Sequence, residues 1–148
     1  MGANIMLKVL YIGNSFSCDI LEHSVSIAQN LGITEIKVGN LYYGGCSLRM
    51  HLAHASNDEA VYQYYLNEGC GWSITNEFSI RMALESDEWD IIGIFSGTHD
   101  GSRHSSSESY EPLPELIDYV RSFAPTAKLV YNLTWLSDKE EPKKELAL

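Results

Sequence analysis

Three short polar stretches of this chain hold the residue types that chemistry would need: Gly13-Asn14-Ser15-Phe16-Ser17, Tyr43-Gly44-Gly45-Cys46-Ser47 and Ser96 to His104. Ser15 follows an apolar run and precedes a helical pattern. A serine at a strand-to-helix corner sits where backbone N–H groups and the helix dipole favour negative charge. Acyl transfer to serine develops such a charge on the carbonyl oxygen. A turn serine that only caps its helix would look the same locally. The pair Gly44-Gly45 would let a backbone N–H approach a ligand with no Cβ in the way, or would serve as a tight turn and nothing more. The third stretch offers Ser96, Thr98, His99, Asp100 and His104. Its histidines could act as base or ligand, or be simply solvated. His99-Asp100 and the pair His51/His54 are too sparse to argue for a metal site. The first stretch lacks the GxxxxGK[ST] phosphate loop.

The elements around these stretches decide whether they can meet. Leu7 to Ile12 is a nearly continuous apolar run ending at Gly13, as expected for a buried parallel strand. Ser17 and Asp19 supply helix-start chemistry; Ile20, Leu21, Val25, Ala28 and Leu31 follow at helical spacing, and Gly32 ends the segment. Ile36 to Leu41 reads as a second strand, so the opening is a β-α-β unit. Val61 to Leu66 and Trp72 to Thr75 flank Asn67-Glu68-Gly69-Cys70-Gly71 and read as an inserted β-hairpin, although a helix over Asp58 to Leu66 fits the same residues. Phe78 to Leu84 reads as a short helix, Asp90 to Phe95 as the third core strand, Pro112 to Phe123 as a helix with prolines at its start, and Lys128 to Trp135 as the fourth strand. Strands alternating with helices imply a mostly parallel sheet covered on both faces. In such sheets ligands bind beyond the carboxyl ends of the strands, which is where the three polar stretches fall.

The 148 residues suit one domain, read here as residues 1–136 with a charged tail over 137–148. The apolar content of 45% is enough for a core. A net charge of −10 argues against nucleic acid or anionic membrane as partners, which reward clustered Lys and Arg. Cys18, Cys46 and Cys70 are odd in number and irregularly spaced, so no disulfide framework is expected. The first residues hold no apolar signal core and no stretch is long enough to span a bilayer, so the expected location is cytoplasmic, or periplasmic or secreted if a leader has been removed.

Taken in order, the motifs resemble a known family. Tyr11 to Ser17, Tyr-Ile-Gly-Asn-Ser-Phe-Ser, is similar to the first block of the SGNH/GDSL hydrolases, and more narrowly to a branch from gut bacteria known as the DUF4886 domain of unknown function. The same likeness runs through Gly44-Gly45-Cys46-Ser47-Leu48 with His51, the Tyr62/Tyr64/Tyr65 stretch ending in Gly71-Trp72, Ala83-Leu84, Trp89-Asp90 and Thr134-Trp135. It covers Leu7 to about Trp135.

The resemblance implies a flavodoxin-like three-layer α/β/α fold with core strand order 2-1-3-4, its fifth strand missing, and esterase or carbohydrate deacetylase chemistry without a cofactor. By position, Ser15 matches the nucleophile and the first oxyanion N–H, and Gly45 the second donor, with Gly44 the alternative. Ser96 stands where the third block places an amide donor, and Asn14, His51, Thr98 and His99 are the expected binding residues. The family's closing Asp-x-x-His segment, which supplies the base, has no match: Asp138 is followed by Lys139 and Glu140, and no histidine follows His104. A serine without a base is a poor nucleophile, so impaired activity on small esters or acylated carbohydrates is the expectation. A missing fifth strand would leave a sheet edge open to self-association. A non-catalytic module that binds a sugar or acyl ligand, with Tyr42, Tyr43, Tyr110 and Trp135 as stacking surfaces, is the alternative reading. A flavin- or nucleotide-binding domain ranks below both.

Overall fold

The computed structural model describes residues 6–97 and 110–132. The elements run β1 (Leu7–Gly13), α1 (Ser15–Asn30), β2 (Ile36–Tyr42), α2 (Leu48–Ser56), β3 (Tyr62–Asn67), β4 (Trp72–Phe78), α3 (Ile80–Glu85), β5 (Ile91–Phe95), α4 (Pro112–Phe123) and β6 (Lys128–Asn132). They build one six-stranded sheet in the order β4-β3-β2-β1-β5-β6. The four strands β2, β1, β5 and β6 are parallel, in the 2-1-3-4 order expected of the core. The hairpin β3–β4 extends the sheet antiparallel beyond β2.

Alternation along the strands sorts side chains to two faces. Leu10, Ile12, Leu41, Ile92 and Ile94 join Leu48 and Ala55 of α2, Ile80, Ala83 and Leu84 of α3, and Leu116 and Val120 of α4 in the larger core. On the other face Leu21 and Ala28 of α1 pack on Ile36 and Val38 in a smaller one. The result is the expected three-layer arrangement. No helix among the described residues is long and apolar enough to cross a membrane.

Of the two readings of the Tyr-rich segment the hairpin holds: Tyr62 and Tyr64 alternate with exposed Gln63, and β3 forms on that period of two. Two local expectations change. Phe78 closes β4, where it stacks on Tyr64 at 4.5 Å, so the short helix begins later, at Ile80, capped by Ser79. The helix α2 was not anticipated. Its inward stripe is Leu48, His51, His54 and Ala55, and two histidines in an apolar stripe hide the period.

Candidate active site

Ser15 is the first residue of α1, solvent-exposed, at the carboxyl end of β1. Asn14 caps the helix, its Oδ1 accepting the Phe16 N–H at 3.1 Å. The other end of the same side chain reaches two neighbouring loops. Asn14 Nδ2 donates to the Cys46 carbonyl at 3.0 Å, in the loop after β2, and to the Ser96 carbonyl at 3.0 Å, after β5. Tyr43 N–H adds a bond to the Gly13 carbonyl at 3.3 Å. The loops carrying Ser15, Gly44-Gly45 and Ser96 are therefore joined through one residue at one end of the sheet. Gly97 makes the third loop fit: a Cβ there would lie 2.9 Å from the Cys46 carbonyl oxygen.

The second loop is a tight turn closed by Cys46 N–H on the Tyr43 carbonyl at 3.3 Å. Gly45 occupies its third position with φ +68°, which favours glycine. Gly44 and Gly45 are exposed. The backbone N–H groups of Ser15, Gly44 and Gly45 meet no hydrogen-bond acceptor among the described residues. Amides of this kind, next to a helix N-terminus, suit an anionic oxygen.

Three of the expected site residues are buried. Asn14 is 1% exposed, and its amide is committed to the three loops it joins. Ser96 is also 1% exposed; its hydroxyl donates to the Asn132 carbonyl of β6 at 3.3 Å, which turns it away from a donor's role in the cleft. His51 is fully buried on the inward stripe of α2. Its Nδ1 lies 2.7 Å from the Tyr62 hydroxyl and 3.3 Å from Cys46 Sγ. Burial, with the nearby His54 second, pushes the His51 pKa down to about 3. Burial likewise drives the Tyr62 hydroxyl far above its ordinary range. Of the tyrosines offered as stacking surface, Tyr43 packs on His54 and Tyr62, and Tyr110 packs on Tyr131. Thr98, His99, His104 and Trp135 lie outside the described residues.

Tyr62 and His54 were not picked out from sequence as part of the site's surroundings. Tyr62 lay within a run of tyrosines, and only the folding of the hairpin beside α2 brings its hydroxyl to both histidines.

A cavity of about 790 Å³ lies at the opposite, amino end of the sheet, lined by Lys8, Asp87, Trp89, Asp90 and Phe123 among others. Several of the charges at this end are paired: Lys8 Nζ meets Asp87 at 2.7 Å, Lys37 meets Asp87 at 3.0 Å, and Asp90 accepts the Lys8 N–H. Parallel sheets place ligands at the other end, and the exposed serine is there.

Fold and site together define a three-layer α/β domain with an exposed serine at the carboxyl end of its first parallel strand. The chain belongs to the DUF4886 family, a domain of unknown function, whose family pattern matches residues 8–147. A crystal structure of a DUF4886 family protein from Bacteroides uniformis superposes with a TM-score of 0.77 at 30% identity, over 86% of this chain and 49% of that one. A stretch of 77 residues is also 32% identical to the bifunctional protein GlmU of Burkholderia thailandensis, covering 52% of this chain and 17% of that protein. The chain thus spans about half the length of the solved relative and a smaller share of the curated one.

Proposed function

We propose that this domain carries the nucleophile and oxyanion side of an SGNH/GDSL-type serine acyl hydrolase, acting on small esters or acylated carbohydrates. The observation that carries this reading is the exposed Ser15 at the N-terminus of α1, in a loop tied by Asn14 to the turn whose Gly44 and Gly45 N–H groups have no acceptor among the described residues.

In this reading Ser15 Oγ bonds to the acyl carbon while the carbonyl π electrons move onto oxygen. The Ser15 and Gly45 N–H groups stabilise that oxyanion, with Gly44 the alternative donor. Collapse expels the alcohol, and water then cleaves the acyl-serine. Each cycle needs a base to take the hydroxyl proton. His51 does not suit that task, since it is buried, bonded to Tyr62 and held neutral down to about pH 3. Ser15 makes no bond to a histidine among the described residues. Turnover by this chain alone is therefore expected to be weak, on the scale that an oxyanion hole provides without its triad, roughly 10³–10⁴ over water.

A fluorophosphonate probe followed by peptide mass spectrometry tests the assignment. Slow formation of a single adduct on Ser15 during prolonged exposure to excess probe, absent from a folded Ser15→Ala variant, is the expected result. No adduct on Ser15 under those conditions, or labelling unchanged in the variant, would overturn it.

A further inference from the structure

The turn that offers the Gly44 and Gly45 amides stands on a buried polar cluster. Its two flanking residues both reach into that cluster. Tyr43 packs its ring 5.0 Å from His54 and 6.0 Å from Tyr62, between ring centroids. Cys46 places Sγ 3.3 Å from His51 Nδ1 and 3.9 Å from the Tyr62 hydroxyl. Tyr62 is the common member: its hydroxyl lies 2.7 Å from His51 Nδ1 and 3.1 Å from His54 Nδ1.

One phenol proton cannot be given to both rings. The Glu59 carboxylate, 3.7 Å from His54 Nε2, favours a proton on that nitrogen. His54 Nδ1 is then an acceptor and takes the Tyr62 proton. The Tyr62 oxygen accepts in turn from His51 Nδ1–H. This leaves His51 Nε2, buried without a partner among the described residues, as a bare lone pair, which costs less than an orphaned N–H would. The order His51 to Tyr62 to His54 gives a set of protons that satisfies both Tyr62 contacts and turns an N–H toward Glu59.

We infer that Tyr62 is a positioning residue for the Gly44–Gly45 turn, its hydroxyl fixing the two histidine rings on which Tyr43 and Cys46 rest. The backbone of the turn is tied to the end of β1 through Asn14 Nδ2 and the Gly13 carbonyl; Gly44 and Gly45 have no side chains, so the flanking Tyr43 and Cys46 side chains are what seat it on the α2 side. Buried hydrogen bonds between side chains hold their members in a fixed mutual geometry. The catalytic meaning of this role rests on the function proposed above; the mechanical role does not.

Backbone ¹⁵N relaxation on Tyr62→Phe separates the two. The substitution keeps the ring and removes only the hydroxyl. The Gly44 and Gly45 amides should fall from order parameters near the rigid value of about 0.85 to below about 0.6, while the amides of α1 and the central strands hold theirs. Fluorophosphonate labelling of Ser15 should slow at least tenfold. A loosened turn without labelling in either protein would leave the positioning role standing and remove the hydrolase reading. An unchanged turn would overturn the inference, whatever the labelling shows. If Tyr62→Phe does not fold, Cys46→Ala serves: it removes the side chain by which the turn rests on His51 and should loosen Gly45 while leaving Tyr43 packed, and a rigid Gly45 in that variant would equally overturn the inference.

Discussion

Replacing Asn14 by alanine removes a helix cap and two buried hydrogen bonds to the Cys46 and Ser96 carbonyls. A lost cap and a lost buried hydrogen bond each cost on the order of 1 kcal/mol, so a loss of roughly 2–4 kcal/mol is expected in urea denaturation. Asn14→Asp is the sharper probe. It keeps an acceptor for the Phe16 N–H but sets a carboxylate against two carbonyl oxygens, so it should be no better than alanine; wild-type stability in that variant would refute the tie. Ser15 and the paired glycines were legible in sequence, because a strand, a small polar turn and a helix start leave a local mark. The role of Asn14 was not. An asparagine beside a candidate nucleophile reads as a ligand contact until the two loops it reaches, 32 and 82 residues away, are in place.

At the scale of the elements, α2 presses two histidines into the core where leucines would ordinarily lie. His51 has a folded pKa of about 3 against 6.5 when unfolded, so the unfolded chain takes up the proton first as pH falls. The stabilising contribution of the neutral ring is complete above about pH 6.5 and is lost progressively toward pH 3. Between pH 7 and pH 5 this amounts to about 2 kcal/mol. Urea denaturation at both values should show that loss in the wild type and a smaller one in His51→Gln, which has no ring to protonate. Parallel slopes would mean that the ring titrates normally. The same histidines explain why α2 escaped the sequence reading while α1 and α4 did not. Those two helices carry their inward positions on aliphatic residues such as Leu21 and Ala28, or Leu116 and Val120, and the period shows. The hairpin was legible as alternation around a glycine-bearing turn. Its place, antiparallel beyond β2, depends on pairings such as Leu41 with Tyr64 that no local pattern encodes.

Across the whole molecule the two ends of the sheet are built differently. The amino end is closed by an ionic ladder of Lys8, Asp87, Lys37 and Glu68, with Lys37 also over the Trp89 ring. The carboxyl end holds the serine, the glycine turn and their buried support. Along the sheet's width, β4 is one margin and β6 the other among the described residues. β6 offers five residues, with Val130 37% exposed on it. Strand edges of this kind template pairing with another copy. Sedimentation velocity is expected to show concentration-dependent association that Val130→Lys reduces; identical profiles for the two proteins would show that β6 takes no part.

One carboxamide serving three loops also exposes the site to chemical ageing. Spontaneous hydrolysis of the Asn14 side chain would add a single dalton and no change in the gene. It would set negative charge against the two carbonyl oxygens that the amide now holds. A stored preparation could then keep its sheet and helices while the serine and the glycine turn drift out of alignment, and intact-mass measurement would track that loss.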